Sequence, residues 1–412
     1  MTTVVHPGDS LSGRERLVYV LVLGALTALG PFTIDLYLPA FPTLEHDFDV
    51  PAALIQLTLT GTTVGFAVGQ LIVGPWSDKV GRRLPLILAT GLHVVASVGA
   101  ALSPDIAWLG SFRVLQGFGA AAGGVVAMAL VRDLFGGRPL VRMLSRLALV
   151  SGLAPVLAPV IGSQLLLIMP WRGIFWVLAG YGTLVIIAVF LWIVETLPKE
   201  RRQDSGHSTA RQRYHAIFSD RVFVGVAIVG GMTFSGLFAY LSASPFLFQQ
   251  IYSFDAQQYG LLFAVNSLGV VFGVQASSRL TKYVGPQWIL AATTIGMLAC
   301  GVLIVVLDSA GAGLWGILIP LWFFIMCCGF SFPCVQVLGL NAHGHEAGTA
   351  ASVLGAVNFG MAGIVSPLVG VLGALGLSDA VPMGGIMAVT ATISVAALWL
   401  VVRPRTVPPL TN

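Results

Sequence analysis

The sequence predicts an all-α membrane protein with twelve transmembrane helices in two related six-helix halves. Three observations support this prediction: the composition, a series of twelve apolar runs, and a long polar segment in the middle of the chain. Of the 412 residues, 56% are hydrophobic and only 9% are charged, whereas a soluble globular protein carries about 25% charged residues. This composition excludes a water-soluble domain and indicates a multi-pass membrane protein.

Twelve apolar runs follow one another, each of the length that crosses a bilayer as a helix. The first run follows Arg14 and Arg16 without a small-residue cleavage site, so we expect a membrane span and not a removed signal. The predicted spans cover residues 17–38, 52–75, 85–103, 106–131, 142–168, 173–194, 221–248, 257–279, 287–307, 313–339, 348–374 and 382–402.

The longest polar segment predicts the domain organisation. We expect an N-terminal six-helix half at residues 1–194, a cytoplasmic linker at 195–220 and a C-terminal six-helix half at 221–412. A glycine pair separated by three residues occurs in the second span and again in the eighth, as Gly65 and Gly69 and as Gly269 and Gly273. Two six-helix repeats related by an axis along the membrane normal are an architecture of secondary transporters.

The positive charges predict the orientation in the membrane. Of the 21 lysine and arginine residues, all but Arg113 and Arg172 lie in the terminal segments and the connections of one side. The connections of the other side carry acids. The positive-inside rule then places both termini and the linker in the cytoplasm. The acids of the other side are Glu45, Asp47, Asp49, Asp105, Asp255, Asp308 and Asp379.

Several classes of function are disfavoured by the residues present. The net charge of +4 does not indicate a nucleic-acid partner, because the cations lie at the ends of membrane spans. All four cysteines lie in apolar runs, which predicts neither disulfides nor a metal site. The segment from His343 to Glu346 holds two histidines two apart with no third firm ligand, so we interpret it as a solvated turn.

No catalytic pattern is found either. The chain lacks His-Glu-x2-His, Gly-x-Ser-x-Gly, paired intramembrane acids and a Walker-type phosphate loop. We therefore expect neither an enzyme nor a bound cofactor. The energy source is expected to be an ion gradient. A proton is favoured over sodium as the coupling ion, because a lone carboxylate does not provide the several oxygen ligands that would coordinate sodium.

Two ionisable residues lie inside predicted spans, away from the helix ends: Asp35 and Arg113. A charged side chain at the bilayer centre costs about 2.5–3.5 kcal/mol or more on insertion scales, so such residues face the bundle interior and pair. Asp35 is predicted about one turn below the outer end of the first span, and Arg113 about two turns into the fourth. At ~1.5 Å per residue their depths differ by roughly 5–6 Å, which an ion pair or a shared water network can bridge.

Three interpretations of Asp35 stay open. It binds and releases a proton, with its proton affinity set by burial and by the approach of Arg113; it is a structural partner of Arg113; or it lies at the membrane interface near Pro39 and Pro42. Arg113 itself cannot carry the proton, because a guanidinium stays charged, but it can tune the acid that does.

The connection between the second and third spans is short and highly charged. It combines one acid and three cations with glycines, at residues Gly74, Asp78, Lys79, Gly81, Arg82 and Arg83. We expect these charges to lie in a turn at a membrane face. The alternative is that the cations only set the membrane orientation. A degraded copy follows the eighth span, where Lys282 and Gly285 remain but no acid matches Asp78.

Several sequence motifs of this chain resemble those of the major facilitator superfamily. The segment 74–83 resembles its motif A, and Arg113-x2-Gln116-Gly117 resembles its motif B. The fifth span resembles, imperfectly, motif C of the drug–proton antiporters, with Ala-Pro where Gly-Pro is usual; its matching residues are Pro155, Pro159 and Gly162. Residues 34–42, with Phe175-Trp176 and 195–198, are similar to the Bcr/CflA group of drug exporters, which includes bicyclomycin and phenicol exporters.

The resemblance implies a monomeric transporter in which the two halves rock and proton entry drives drug exit. It also implies that the motif A residues act as a conformational latch that stabilises the outward-facing state. The two prolines of the fifth span either bend a moving interface or make a static kink.

A drug site in such a fold lies midway through the membrane between the halves and is apolar, aromatic and sparsely polar. Buried amides are the stronger candidates because they need partners; each aromatic can instead face lipid or the core. The predicted cavity residues are Tyr37, Gln116, Phe234, Phe238, Tyr240, Asn266, Gln336 and Asn358. The predicted function is proton-coupled export of small amphiphilic antibiotics; the alternative is transport of a metabolite such as a sugar or amino acid.

Overall fold

The computed structural model describes residue 8 and residues 11–197, 210–341, 347–373 and 380–407. This part of the chain forms helices and turns and contains no β-strand. Its α-helices are α1 Gly13–Asp35, α2 Phe41–Phe48, α3 Ala52–Val80, α4 Arg83–Ala101, α5 Ile106–Leu134, α6 Gly137–Leu165, α7 Trp171–Trp192, α8 Ala210–Ser219, α9 Arg221–Phe246, α10 Ala256–Leu280, α11 Pro286–Ser309, α12 Gly313–Asn341, α13 Ala347–Val365, α14 Leu368–Gly373 and α15 Ala380–Ala396.

Twelve segments of the described chain are long and apolar enough to cross a membrane, and they correspond one to one with the predicted spans. The prediction of twelve helices is confirmed. Helices α2 and α14 extend the first and eleventh spans, and the short helix α8 lies in the predicted linker. The linker cations Lys199, Arg201 and Arg202, and the segment from His343 to Glu346, lie outside the described residues.

The first span is longer than its apolar run suggested. Helix α1 ends at Asp35, a single 3₁₀ turn follows at Leu38–Ala40, and α2 continues to Phe48. Pro39 and Pro42 each stand in the first turn of a new helix, where a missing N–H costs nothing. The apolar run predicted an end of the first span at residue 38, whereas the helical segment continues to Phe48.

The glycine pairs make the same contact in both halves. In the N-terminal half α3 packs against α5, and a Cβ at Gly69 would lie 2.7 Å from the Phe118 carbonyl oxygen. In the C-terminal half α10 packs against α12, and a Cβ at Gly273 would lie 2.8 Å from the Phe330 nitrogen. Small residues let helix backbones approach closely in membranes. The repeat seen in the sequence thus corresponds to a repeated helix–helix contact, and the pseudo-symmetric fold is confirmed.

The two halves meet along two helix pairs. Helix α3 packs against α13, and α6 packs against α10. With an even number of spans, both termini lie on one side of the bundle, which we name the terminus face; the other side is the opposite face. The two helix pairs flank the space between the halves.

The halves are in contact at the opposite face. The rings of Phe41 and Phe246, one from each half, lie 5.7 Å apart between centroids. Nearby, the side-chain amide of Gln250 donates to the Glu45 carboxylate at 2.6 Å. Toward the terminus face, a cavity separates α5 from α12. The fold therefore presents its central cavity to the terminus face and closes it at the opposite face.

Candidate substrate cavity and proton-coupling site

The cavity between the halves has a volume of about 700 Å³. Its walls come from α3 and α5 of the N-terminal half and from α9, α12 and α13 of the C-terminal half. Aromatic rings and amides line its inner part, and the charged lining residues stand at the helix ends near the terminus face. The aromatic residues are Phe234, Phe332 and Phe359; the amides are Gln70, Gln336 and Asn358; and the charged residues are Asp78, Arg82 and Arg132.

The aromatic rings form a connected group across the two halves. Phe359 of α13 stacks on Phe66 of α3 with a centroid distance of 5.0 Å. Phe234 of α9 lies 5.4 Å from Phe359 and 5.1 Å from Phe332. Aromatic pairs of this kind contribute about 0.5–1.5 kcal/mol beyond the area they bury. The cavity wall is therefore both apolar and held in a defined shape.

The structure separates the eight predicted cavity residues into three groups. Phe234, Gln336 and Asn358 line the cavity, and Phe238 is buried behind Phe234. Tyr240 and Asn266 are hydrogen-bonded to each other at 3.1 Å, and Asn266 also borders a separate groove between α10 and α12. The remaining two, Tyr37 and Gln116, are fully buried in the N-terminal half. The expectation that all eight line one cavity is therefore wrong.

Gln70 and Phe332 are among the lining residues that the sequence did not predict. Gln70 is a polar residue inside an apolar span, and its Oε1 is buried with no hydrogen-bond partner among the described residues. The sequence signal for Gln70 was its polar side chain inside an apolar span. Phe332 gave no such signal, because the local sequence of a membrane helix does not show whether an aromatic residue faces lipid, the protein core or a cavity.

Arg113 is completely buried between α1, α5 and α7. Its Nη1 donates to the backbone oxygen of Thr33 at 2.9 Å and to Oε1 of Gln116 at 2.5 Å. The guanidinium carbon lies 3.9 Å from the centre of the Tyr37 ring and 5.7 Å from that of Phe175. A desolvated cation over aromatic faces gains about 2 kcal/mol or more, which partly offsets its removal from water.

Asp35 is 4% exposed, and its Oδ1 has no hydrogen-bond partner among the described residues. It lies within electrostatic reach of Arg113, yet no ion pair closer than 4.0 Å joins them in the described chain. Tyr240 and Tyr259 of the C-terminal half are also within electrostatic reach. Asp35 and Arg113 thus lie within electrostatic reach of each other, but the guanidinium does not pair with the carboxylate.

The charged segment 74–83 belongs to two helices and only a tight turn. Helix α3 continues to Val80, so Asp78 and Lys79 are helical, and α4 begins at Arg83. Gly81 between them has φ +105°, a conformation that residues with a side chain avoid. The expectation that the charges lie in a turn is corrected: the turn is confined to Gly81 and Arg82, and Lys79 is exposed.

Arg82 is the centre of a polar cluster at the terminus face. Its guanidinium contacts Asp78, and it donates to Asp133 of α5 and to the Ser77 hydroxyl at 3.0 Å each. Burial lowers the pKa of Arg82, but the carboxylates of Asp133 and Asp78 outweigh that effect and the pKa is raised above its ordinary value. The cation therefore stays charged and links α3, α4 and α5.

The sequence did not predict that two further residues, Asp133 and Glu195, belong to this cluster. Asp133 pairs with Arg82, and Glu195 accepts hydrogen bonds from the backbone N–H groups of Arg82 and Arg83 at 2.9 Å and 3.2 Å. Glu195 thereby caps the N-terminus of α4, where a negative charge is favourable. Asp78 does not take part in this cap and contacts Arg82. Arg83 instead donates to the Phe190 carbonyl oxygen at 2.6 Å.

The fifth span, α6, runs without interruption through Pro155 and Pro159. Gly162 lies against α1, where a Cβ would overlap the Leu36 carbonyl oxygen. One turn away, the Pro159 carbonyl oxygen lies 3.1 Å from the Cβ position of Gly260 on α10. Pro159 thus lies at a contact between the two halves, and Gly162 at a contact within the N-terminal half. Both a moving interface and a static kink are compatible with these contacts.

The described residues contain no group of histidine, cysteine, aspartate or glutamate side chains that could hold a metal ion. The polar geometry instead consists of one buried carboxylate, one buried guanidinium and a separate cluster at the terminus face.

Two curated bacterial proteins match nearly the whole chain. An uncharacterized MFS-type transporter, YdgK, from Bacillus subtilis is 37% identical over 396 residues, which cover 96% of this chain and 98% of that protein. A bicyclomycin resistance protein homolog from Haemophilus influenzae is 30% identical over 389 residues, which cover 94% of this chain and 96% of that protein.

Solved structures show the same fold at lower identity. The xylose transporter XylE from E. coli, in a partially occluded inward open conformation, superposes with a TM-score of 0.72 at 13% identity and covers 96% of this chain and 98% of that one. The sequence profile of the Major Facilitator Superfamily matches residues 23–367. With twelve spans, two related halves and relatives that match over nearly the full length, the chain belongs to the major facilitator superfamily and is a multi-pass membrane transporter.

Proposed function

We propose that this protein exports small amphiphilic drugs across the bacterial inner membrane in exchange for protons, as a monomer that works by alternating access. The proposal rests mainly on one observation: the cavity between the halves has aromatic and amide walls, and its charged lining residues stand only at the mouth. Its volume of about 700 Å³ lies within the range of about 300–1,000 Å³ that suits drug-sized ligands. The name of the Haemophilus influenzae relative, a bicyclomycin resistance protein homolog, supports the same substrate class.

The positive-inside rule supports an orientation with the terminus face in the cytoplasm. Arg82, Arg132, Arg279 and Arg403 all belong to helix ends or connections of that face. In this orientation the cavity opens to the cytoplasm, so this conformation would take up substrate from inside the cell. Export then requires the contacts of Phe41 and Glu45 at the opposite face to separate.

Asp35 is the proposed proton carrier. A buried carboxylate without an ion pair is costly when charged and cheap when protonated, so it changes protonation state when its surroundings change. Because Tyr240 and Tyr259 of the C-terminal half lie within electrostatic reach of it, rocking of the halves would alter those surroundings. Proton uptake and substrate release would be linked in this way.

The cluster around Arg82 is the proposed conformational latch, formed by Gly74, Asp78, Lys79, Gly81, Arg82 and Arg83 with Asp133 and Glu195. Gly74 lies beside Ser352 of α13, where a Cβ would be 3.2 Å from the serine Oγ. In the present conformation Asp78 contacts Arg82 and lies on the cavity wall together with the first turn of α13. Closing the cavity would bring Asp78 toward that helix N-terminus, which favours a negative charge.

The test uses purified protein in liposomes that contain a pH-sensitive dye. A panel of amphiphilic antibiotics, bicyclomycin among them, is added under an imposed pH gradient, and drug movement and proton movement are recorded together. We expect Asp35→Asn to fold and bind drug but to lose drug-dependent proton movement. The matched control is Asp49→Asn, at an exposed residue with φ +51°, a backbone conformation that asparagine tolerates. Full-rate uphill export by Asp35→Asn, or no proton movement with any drug, would overturn the proposal.

A second candidate is transport of a neutral polar metabolite such as a sugar. The amides of Gln70, Gln336 and Asn358 favour it, because they line the cavity and can hydrogen-bond hydroxyl groups. Uptake of labelled sugars and amino acids by cells that express the protein, measured beside drug survival, separates the two candidates.

A further inference from the structure

The fully buried polar side chains of helix α4 include His93 and Ser97, which the transport steps described above do not use. They lie one turn apart and face α5, where the close approach of the two backbones depends on a glycine. A Cβ at Gly119 would lie 2.7 Å from the His93 nitrogen. A polar side chain buried this completely requires hydrogen-bond partners, and the partners identify what the pair does.

Both residues hold Gln116. Its Nε2 donates to the Ser97 hydroxyl oxygen at 2.8 Å, and Ser97 in turn donates to the backbone oxygen of His93 at 2.7 Å. Nδ1 of His93 lies 3.2 Å from the Gln116 backbone oxygen, and because a carbonyl only accepts, Nδ1 carries the hydrogen. Side chain and backbone of Gln116 are thus both anchored to α4.

The anchoring determines which end of the Gln116 amide faces Arg113. With Nε2 held by Ser97, Oε1 points to Arg113 and accepts from its Nη1 at 2.5 Å. In the reverse orientation the amide NH₂ group would face the guanidinium, and no hydrogen bond could form because both groups only donate. Gln116 therefore accepts a hydrogen bond from the guanidinium through Oε1 because Ser97 accepts one from its Nε2.

The guanidinium is held where it does not pair with Asp35. Nη1 of Arg113 is shared between Gln116 and Thr33, and the group rests on the Tyr37 ring. Its Nε and Nη2, and Oδ1 of Asp35, have no hydrogen-bond partner among the described residues. An arginine and a carboxylate that share a dry interior form strong charge-assisted hydrogen bonds when free to do so. A restraint is needed to keep these two apart.

We propose that Ser97, with His93, is a positioning residue for proton coupling: it orients Gln116 so that Arg113 is held on Tyr37 and off the Asp35 carboxylate. The inference rests on the proposed role of Asp35. Loss of this restraint lets the guanidinium pair with Asp35, which holds the carboxylate in its charged form. The titratable and charged groups around this pair, from every element packed against it, are Tyr37, His93, Tyr240 and Tyr259.

The test is Ser97→Ala, with Thr90→Val as its matched control. Both variants remove a buried hydroxyl from α4, but the Thr90 hydroxyl has no hydrogen-bond partner among the described residues and no link to Gln116. We expect Ser97→Ala to move the pH midpoint of drug-dependent proton release toward acid by about half a unit to one unit, the worth of one hydrogen bond. Thr90→Val keeps the wild-type midpoint, and Ser97→Thr, which restores a hydroxyl, returns it. A wild-type midpoint in Ser97→Ala, or an equal shift in both variants, overturns the proposal.

A second measurement does not depend on transport. The melting temperature of the detergent-solubilised protein is followed against pH for the same variants, in the wild type and in Asp35→Asn. We expect Ser97→Ala to change this pH dependence in the wild type and to leave it unchanged in Asp35→Asn. If no drug moves protons but this pattern holds, the export function fails and the positioning role stands; an identical change in both backgrounds refutes the positioning role. Should Ser97→Ala not reach the membrane, Ser97→Cys replaces it, since a thiol accepts hydrogen bonds weakly.

Discussion

Single side chains at three sites determine how closely the helices approach and where the charges lie. Gly162 allows α6 to pack against the backbone at the end of α1, next to Asp35 in the chain. A Cβ at this position would overlap the Leu36 carbonyl oxygen. Arg113 takes a position over the Tyr37 ring, and Arg82 joins two acids from different helices. Each of these residues acts through a partner distant in the chain.

The contact at Gly162 predicts a stability difference between two glycines of the same helix. Gly162→Ala must push α6 away from α1, since a backbone oxygen cannot move aside as a flexible side chain would, and overpacking of this kind costs about 1–3 kcal/mol. Gly152, also on α6, has no atom within 4 Å of its Cβ position, so Gly152→Ala is the control. Thermal unfolding in detergent should show a lower melting temperature for Gly162→Ala only. Equal melting temperatures for the two variants would contradict the close approach.

At the scale of elements, the two helix pairs between the halves differ in chemistry. Helices α3 and α13 run antiparallel, and polar side chains of α3 at seven-residue spacing face glycines of α13 and of α14, which extends the same span. The facing pairs are Gln56 with Gly370, Thr63 with Gly363, and Gln70 with Gly355. Because a glycine offers no side chain to interlock, such a seam gives little resistance to sliding or tilting. It suits two halves that rock on each other.

The connection between α7 and α4 predicts a second stability effect. Glu195 lies after the end of α7 and accepts from the first backbone N–H groups of α4. Replacing a helix cap by alanine costs about 0.5–2 kcal/mol, so Glu195→Ala should lower the melting temperature in detergent. Glu195→Gln keeps one acceptor oxygen and should lie between the wild type and Glu195→Ala. If Glu195→Ala unfolds at the wild-type temperature, the capping contact does not contribute to stability.

At the scale of the whole molecule, the structure combines a closed opposite face with an open terminus face. Both states of an alternating-access cycle must use the same inter-half surfaces in turn, so the contacts now formed at the opposite face have to break. The hydrogen bonds from Gln250 to Glu45 and from Gln249 to the Pro39 carbonyl oxygen, and the contact between the Phe41 and Phe246 rings, are among these contacts. Blocking their separation should stop the cycle.

This requirement predicts the result of a cross-linking experiment. In a variant without the four native cysteines, Glu45→Cys and Gln250→Cys together should react rapidly with a short bifunctional thiol reagent, because the wild-type side chains meet at 2.6 Å. Cross-linked protein should lose transport, and a cleavable reagent should restore it on reduction. The control pair is Met128→Cys with Leu340→Cys, which line the cavity from α5 and α12. Preferential cross-linking of the control pair would mean that the cavity is closed at the terminus face.

Features that depend on a single helix could be predicted from the local sequence. The twelve spans follow from apolar length, and the repeated helix contact follows from the spacing of Gly65 and Gly69, because both are properties of one helix. The cavity residues were predicted only in part. Tyr37 and Gln116 were expected in the cavity but are buried around Arg113, and nothing in their own spans distinguishes the two positions.

The sequence by itself determined the class of protein, the number of spans, the pseudo-symmetric halves and the identity of the two intramembrane charges. These follow from hydropathy, from spacing within a helix and from the cost of placing a charge in lipid. Only the tertiary structure decided that Asp35 and Arg113 lie within electrostatic reach without pairing, that Ser97 and His93 of α4 hold Gln116 of α5, and that Glu195 joins the charged segment at the terminus face. The physical reason is that each of these arrangements joins helices distant in the chain, and a hydrogen bond between helices depends on how they pack, which no single apolar run encodes.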